Sequence, residues 1–131
     1  MLLLAGDLGT GKTFFVRALC RCLGVPEHLR VTSPSFSLIH EIPQGRLAIT
    51  HADLYRIDTA WDVLRLGLRE RRADSLVVVE WGAPFESSLG GDAIHLELTA
   101  DQLGRRVRLG TSGPTSSERL RSAAAALELV R

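Results

Sequence analysis

The sequence predicts an α/β fold: a mixed sheet flanked by helices, with antiparallel hairpins. Three observations predict it. A short apolar run, Leu2 to Ala5, leads directly into a glycine-rich turn, and helical periodicity follows from Phe14 to Leu23. A second apolar run, Leu76 to Val79, is mostly β-branched, as in a strand buried on both faces. Two further stretches alternate around turn signals and read as hairpins. Strands joined by helical crossovers, with hairpins added, make a mixed sheet.

Each element has its own signal. The first helix ends at Gly24, with Pro26 just beyond. Val31 to Phe36 is rich in hydroxyl residues around Pro34 and reads as a loop. Phe36 to Ile42 alternates, Pro43-Gln44-Gly45 is a turn, and the second arm runs into Thr50–Arg56, which makes an antiparallel hairpin. Asp58 or Thr59 caps a helix predicted to run to about Glu70, with Trp61, Leu64 and Leu68 on one face. Asp74-Ser75 breaks it before the Leu76–Trp81 strand. Gly82 to Gly91 reads as a loop with a helical turn. Ala93–Thr99 and Arg105–Leu109 form the second hairpin. Ser116 or Ser117 caps a last helix through Val130, with Leu120, Ala124, Leu127 and Val130 as its apolar stripe.

At 131 residues the chain, 1–131, reads as one domain, long enough to bury a core without staples. A net charge of +1 supplies no global field for nucleic acid. The arginine clusters at Arg69, Arg71, Arg72 and at Arg105, Arg106, Arg108 read as solvated faces. Cys20 and Cys22 point to different sides of one helix and show no metal spacing, so they read as buried small residues in a reducing compartment. Met1 to Ala5 is too short for a signal-peptide core or a membrane span, and no other apolar run is longer. The expectation is a cytoplasmic protein with no membrane partner.

Gly6, Gly11, Lys12 and Thr13 fit G-x-x-x-x-G-K-[ST], placed between a strand and a helix as the P-loop requires. Glycines let successive backbone N–H groups converge on phosphates, and the helix aims its positive end at the same point. Lys12 can reach the outer phosphates, and the Thr13 hydroxyl can ligate Mg²⁺. The candidate nucleotide contacts are therefore Gly6, Asp7, Leu8, Gly9, Thr10, Gly11, Lys12, Thr13 and Phe14.

Phosphoryl transfer also needs an acid near the metal. Glu80, at the end of the Leu76–Glu80 run, lies where an open α/β sheet binds ligands. Asp53 is the second candidate; the bland alternative is a turn residue. Lys12, Asp53 and Glu80 are thus the candidate catalytic set, and Thr13, Glu80 and Asp53 the candidate Mg²⁺ set. Thr32 or Ser33 fits a switch-like hydroxyl. Trp81 either packs beside the nucleotide or belongs to the core. His51 reads more readily as a structural strand histidine than as a base.

In order and rough spacing, Gly6–Thr13, Thr32-Ser33-Pro34-Ser35-Phe36, His51-Ala52-Asp53-Leu54-Tyr55-Arg56, Leu66-Gly67-Leu68-Arg69-Glu70 and Val78-Val79-Glu80-Trp81 resemble the TsaE family, formerly described as YjeE-type ATPases. The resemblance covers the chain to about Arg108. It implies a P-loop NTPase-like fold and a bacterial cytosolic ATPase serving threonylcarbamoyladenosine formation at position 37 of tRNAs that read ANN codons. Its partners would be TsaD and TsaB, with tRNA met only through that complex, and its cofactors ATP and Mg²⁺. By the matching motifs Thr13 and Glu80 would hold Mg²⁺, Asp53 would be a further acid, the Thr32-Ser33 loop would be switch-like, and Trp81 would lie beside the site. Two alternatives stand beside this reading: a nucleotide-gated binding module with incidental turnover, and a small-molecule kinase. The kinase ranks last, because no segment is long enough for an arginine-bearing lid.

The sequence departs from the family at its start. Members carry a strand and helix before the P-loop strand, and that region helps to cover the adenine. Here five residues precede Gly6. The expectation is that Leu2–Ala5 lacks a sheet neighbour, that adenine is poorly discriminated, and that the C-terminal helix fills part of the gap.

Overall fold

A computed structural model describes residues 1–128. In chain order the elements are β1 (Leu2–Ala5), α1 (Lys12–Cys22), β2 (Ile39–Ile42), β3 (Ile49–Asp53), α2 (Ala60–Arg65), α3 (Leu68–Arg71), β4 (Leu76–Glu80), a 3₁₀ turn (Ala83–Phe85), β5 (Ile94–Asp101), β6 (Gly104–Thr111) and α4 (Pro114–Glu128). The strands form one sheet in the order β2-β3-β4-β1-β5-β6. β3, β4, β1 and β5 run parallel, and β2 and β6 are antiparallel at the edges. β1 therefore has a partner on both sides, β4 and β5. This corrects the expectation that it lacks a neighbour: the strand that opens the second hairpin returns to pair with it.

Two cores sandwich the sheet. Leu4, Val16, Cys20, Ile49, Val78 and Leu96 pack on the α1 side. Leu3, Ala52, Val63, Leu68, Val77, Val79 and Leu89 pack on the other. Val77, Val78 and Val79 are all fully buried, because alternate side chains of β4 meet opposite cores. Each contributes on the order of 1.5–3 kcal/mol of burial.

Several local readings need correction. β2 starts at Ile39, not Phe36: Leu38 takes a φ of +68°, its N–H donates to the Pro34 carbonyl at 2.7 Å, and Phe36 is left exposed. β3 ends at Asp53, whose carboxylate accepts the Tyr55 N–H at 2.9 Å and turns the chain. The helix predicted to Glu70 is two helices, since Gly67 sits at φ +65° between them. Thr59 does cap the first, accepting the Asp62 N–H. Its buried side is Val63, however, and Trp61 is 69 % exposed. Cys20 is buried, but Cys22 is exposed. Arg72 is no solvated charge: its guanidinium donates to the carbonyls of Leu89, Gly91 and Asp92 and clamps that loop.

α4 begins at Pro114, ahead of the expected cap at Ser116 or Ser117. Its cap comes from outside the helix: the Asp92 carboxylate accepts the N–H groups of Thr115 and Ser116 at 3.1 and 2.8 Å. The predicted stripe does not pack, because Ser116 is the buried residue of α4 and every described residue from Arg121 is exposed. Val130 lies outside the described residues. α4 begins at the amino end of β1, where Ser116 and Arg119 share a cavity with Met1 and Leu2. The turns of α4 that pack therefore lie at the amino end of β1, away from the glycine-rich loop that α4 was expected to help cover.

Candidate functional site

The site is built where β1, β3 and β4 end together. Asp53 and Glu80 are register partners, and Leu4, two residues before Gly6, is the partner of Glu80 on the other side. The strands thus deliver two carboxylates to the foot of α1. Gly6 permits the tight departure from β1, with φ at +143°; a Cβ there would lie 2.4 Å from the Leu98 carbonyl oxygen. Gly11 caps α1 at φ +108° with no side-chain hydrogen bond, so no side chain occupies the first amides of the helix. The loop is braced from two sides. The Thr10 hydroxyl donates to the Asp7 carbonyl at 2.9 Å, and Arg105 of β6 donates through Nε to the Thr10 carbonyl at 3.0 Å.

Lys12 is not in a solvated setting, although it sits at the end of a glycine-rich turn. It is 5 % exposed, and Nζ donates to the carbonyls of Gly6 and Asp7 at 2.6 and 2.9 Å. The ammonium also lies 4.4 Å from the Trp81 ring centroid. Burial pulls its pKa below the ordinary lysine value, against the opposing pull of Glu80, Asp53 and Asp7. Trp81 reaches this position because the chain leaves β4 at φ +62°, a rare conformation for a large side chain. Tyr55 packs on the same indole, with centroids 5.1 Å apart.

The Thr13 hydroxyl donates to Oε1 of Glu80 at 2.9 Å. Asp53 is held by Ser33, whose hydroxyl donates to Oδ2 at 2.7 Å. These groups open onto a cleft of about 450 Å³ lined by Leu8, Gly9, Gly11, Lys12, Thr13, Phe14, Ser33, Ser35, Asp53, Tyr55, Arg56, Glu80 and Trp81. The structure thus brings together most of the residues singled out from sequence. Thr32 is exposed and does not line the cleft; its neighbour Ser33 does. Gly6, Asp7 and Thr10 build the loop from behind.

The donor set suits a small hard cation with a nucleotide phosphate. It consists of one hydroxyl and two carboxylates, with no cluster of three or more His, Cys, Asp or Glu among the described residues. Mg²⁺ characteristically takes one or two carboxylates and completes its shell with water and phosphate oxygens. The cradle fits as well: a Cβ at Gly9 or Gly11 would meet nothing within 4 Å, so the backbone is open on that side.

Three residues were read otherwise from sequence: His51 as a structural strand histidine, Arg105 as part of a solvated face, and Arg56 only as part of a motif. His51 is buried against Glu80, Arg105 ties the far hairpin to the loop, and Arg56 lines the cleft with its guanidinium 4.5 Å over the Phe36 ring. The period of two along β3 puts His51 on the face of Asp53, and that signal was available. No local signal marks Arg105, which is 95 residues from its partner.

A mixed, largely parallel sheet with a P-loop after its first strand, and acids at the ends of the neighbouring strands, defines the class: an α/β protein of the P-loop NTPase fold. The crystal structure of Bacillus subtilis YdiB superposes with a TM-score of 0.75 at 27 % identity, covering 97 % of this chain and 77 % of that one. The family model for "Threonylcarbamoyl adenosine biosynthesis protein TsaE" matches residues 1–107. The chain belongs to the TsaE family. It is 34 % identical to the tRNA threonylcarbamoyladenosine biosynthesis protein TsaE of Rickettsia bellii over 98 residues, 75 % of this chain and 67 % of that protein. The protein of the same name from Rickettsia conorii is 32 % identical over 107 residues, 82 % of this chain and 61 % of that one. That from Treponema pallidum is 34 % identical over 107 residues, 81 % and 77 % of the two chains. The chain thus spans about two thirds of the length of its Rickettsia relatives, and for Rickettsia conorii less.

Proposed function

We propose that this chain binds and hydrolyses Mg·ATP in support of N6-threonylcarbamoyladenosine formation on tRNA, acting on a TsaD–TsaB pair in the cytoplasm. The observation that carries the reading is the Thr13 hydroxyl set against the Glu80 carboxylate at the N-terminus of α1. The loop amides and the helix end bind the phosphates. Lys12, now held by the loop's own carbonyls, exchanges them for outer phosphate oxygens. Thr13 and Glu80 hold Mg²⁺, and Asp53, fixed by Ser33, lies within the same cleft to orient the attacking water. When bound, the metal supplies charge neutralisation on the phosphate oxygens. Family membership supports the tRNA-modification role. No helix among the described residues is long and apolar enough to cross a membrane.

Two measurements test this. Glu80→Gln preserves side-chain size, and is expected to keep the fold and slow Mg²⁺-dependent hydrolysis by ~10²-fold. In reconstitution with cognate TsaD and TsaB, adding this chain is expected to raise the amount of modified tRNA beyond one turnover. Hydrolysis by Glu80→Gln at the wild-type rate sinks the acid assignment. Multiple turnover without this chain sinks the role.

A further inference from the structure

His51 lies in the middle of β3 and is 0 % exposed. Ile49 precedes it and Asp53 follows it on the same face. Apart from Asp53 and Glu80 at the strand ends, that face is apolar, with Leu4, Val16, Ile49 and Val78 packed together. A β-branched residue would suit such a row. The imidazole instead places Nε2 3.0 Å from Oε1 of Glu80, the same oxygen that accepts the Thr13 hydroxyl. Its Nδ1 is buried with no hydrogen-bond partner among the described residues. A histidine kept only for core structure would be expected to satisfy both nitrogens. Here the hydrogen bond the ring makes among the described residues is directed at the Glu80 carboxylate. The proton belongs on Nε2, because a carboxylate oxygen facing it can only accept.

We propose that His51 is a positioning residue for Glu80. With Thr13 it pins Oε1 and fixes the carboxylate rotamer, leaving Oε2 as the oxygen presented to the cleft. The role is that of an outer-shell partner, which orients a metal ligand without touching the metal. The inference rests on the reading of Glu80 as the Mg²⁺ acid.

The test is calorimetric binding of ATPγS to the full chain, in Mg²⁺ and in EDTA, with hydrolysis measured beside it. Glutamine keeps an N–H donor near the Nε2 position; asparagine is too short to reach Glu80, and leucine removes the donor. His51→Leu and His51→Asn are expected to reduce the Mg²⁺-dependent gain in affinity by ~10-fold or more, the scale of an outer-shell loss. They should leave affinity in EDTA within about twofold, because the phosphate cradle is untouched. His51→Gln is expected to restore most of the gain. If His51→Leu fails to fold, the Gln and Asn pair decides: equal Mg²⁺ gains in the two overturn the proposal. Wild-type Mg²⁺ gain in both His51→Leu and His51→Asn, with Glu80→Gln impaired, overturns the His51 role alone. Wild-type Mg²⁺ gain in Glu80→Gln overturns the metal reading, and the His51 role with it.

Discussion

Lys12 makes three contacts in this geometry: two loop carbonyls and the face of Trp81. Removing it therefore acts on the loop as well as on any ligand. Lys12→Ala is expected to weaken Mg·ATP binding by at least ~10²-fold in calorimetry, since a desolvated charge-assisted contact is lost. It should also lower the thermal midpoint, because the carbonyls of Gly6 and Asp7 lose their donor. A variant with wild-type affinity would refute the phosphate-site assignment. Lysine in a glycine-rich turn reads as solvated, but the turn closes around this one. Its burial follows from Trp81, sixty-nine residues later, and from the left-handed turn that places the indole.

At the scale of the element, Gly67 and Asp92 separate what a helix signal can and cannot say. The apolar spacing from Trp61 to Leu68 matches a single helix, yet the chain breaks at Gly67 and presents Val63 and Leu68 to the core instead. Gly67→Ala has open space, its nearest neighbour being Glu70 Oε2 at 3.8 Å. The cost is conformational alone, about 1 kcal/mol, read as a lower urea midpoint with an unchanged slope. Asp92 caps α4 through the Thr115 and Ser116 amides, and these hydrogen bonds hold its carboxyl well below the usual carboxylate range. A depressed folded pKa gives stability that is present above the ordinary carboxylate value and lost as pH falls through the folded one. The Thr115 and Ser116 amide signals are therefore expected to hold steady down to pH ~3 and to move only below it. Titration of those amides near the ordinary aspartate value would show that the cap is not made.

Over the whole molecule, stability resides in the parallel centre and not at the edges. Leu4 is buried under α1 beside Val16 and Val78, and Leu4→Ala is expected to cost about 3 kcal/mol by equilibrium unfolding. Leu103, at the tip of the β5–β6 hairpin, is 99 % exposed, and Leu103→Ala should stay within about 0.5 kcal/mol of wild type. A comparable loss in both variants would mean that the hairpin tip is packed. The outer strand β6 is exposed and carries Arg105, Arg106 and Arg108. Arg108 pairs with Glu97 at 3.5 Å, and charges on such an edge discourage pairing with a second sheet. Arg105 alone turns back to the phosphate loop.

Local chemistry was enough to read the P-loop, its strand and its helix, because seven consecutive peptide bonds hold all the parts together from Gly6 to Thr13. The apolar run of β4 likewise declared a strand buried on both faces, with a carboxylate, Glu80, at its end. Sequence order could not say that β5 would return to flank β1 opposite β4, since strand neighbours are chosen by packing between distant segments. Nor could it say that His51 would turn one nitrogen to Glu80 and leave the other bare, that Ser33 and not Thr32 would meet Asp53, or that Lys12 would be buried. Each of those depends on side chains brought within about 3 Å by the closing of the sheet, a scale that spacing along the chain does not encode.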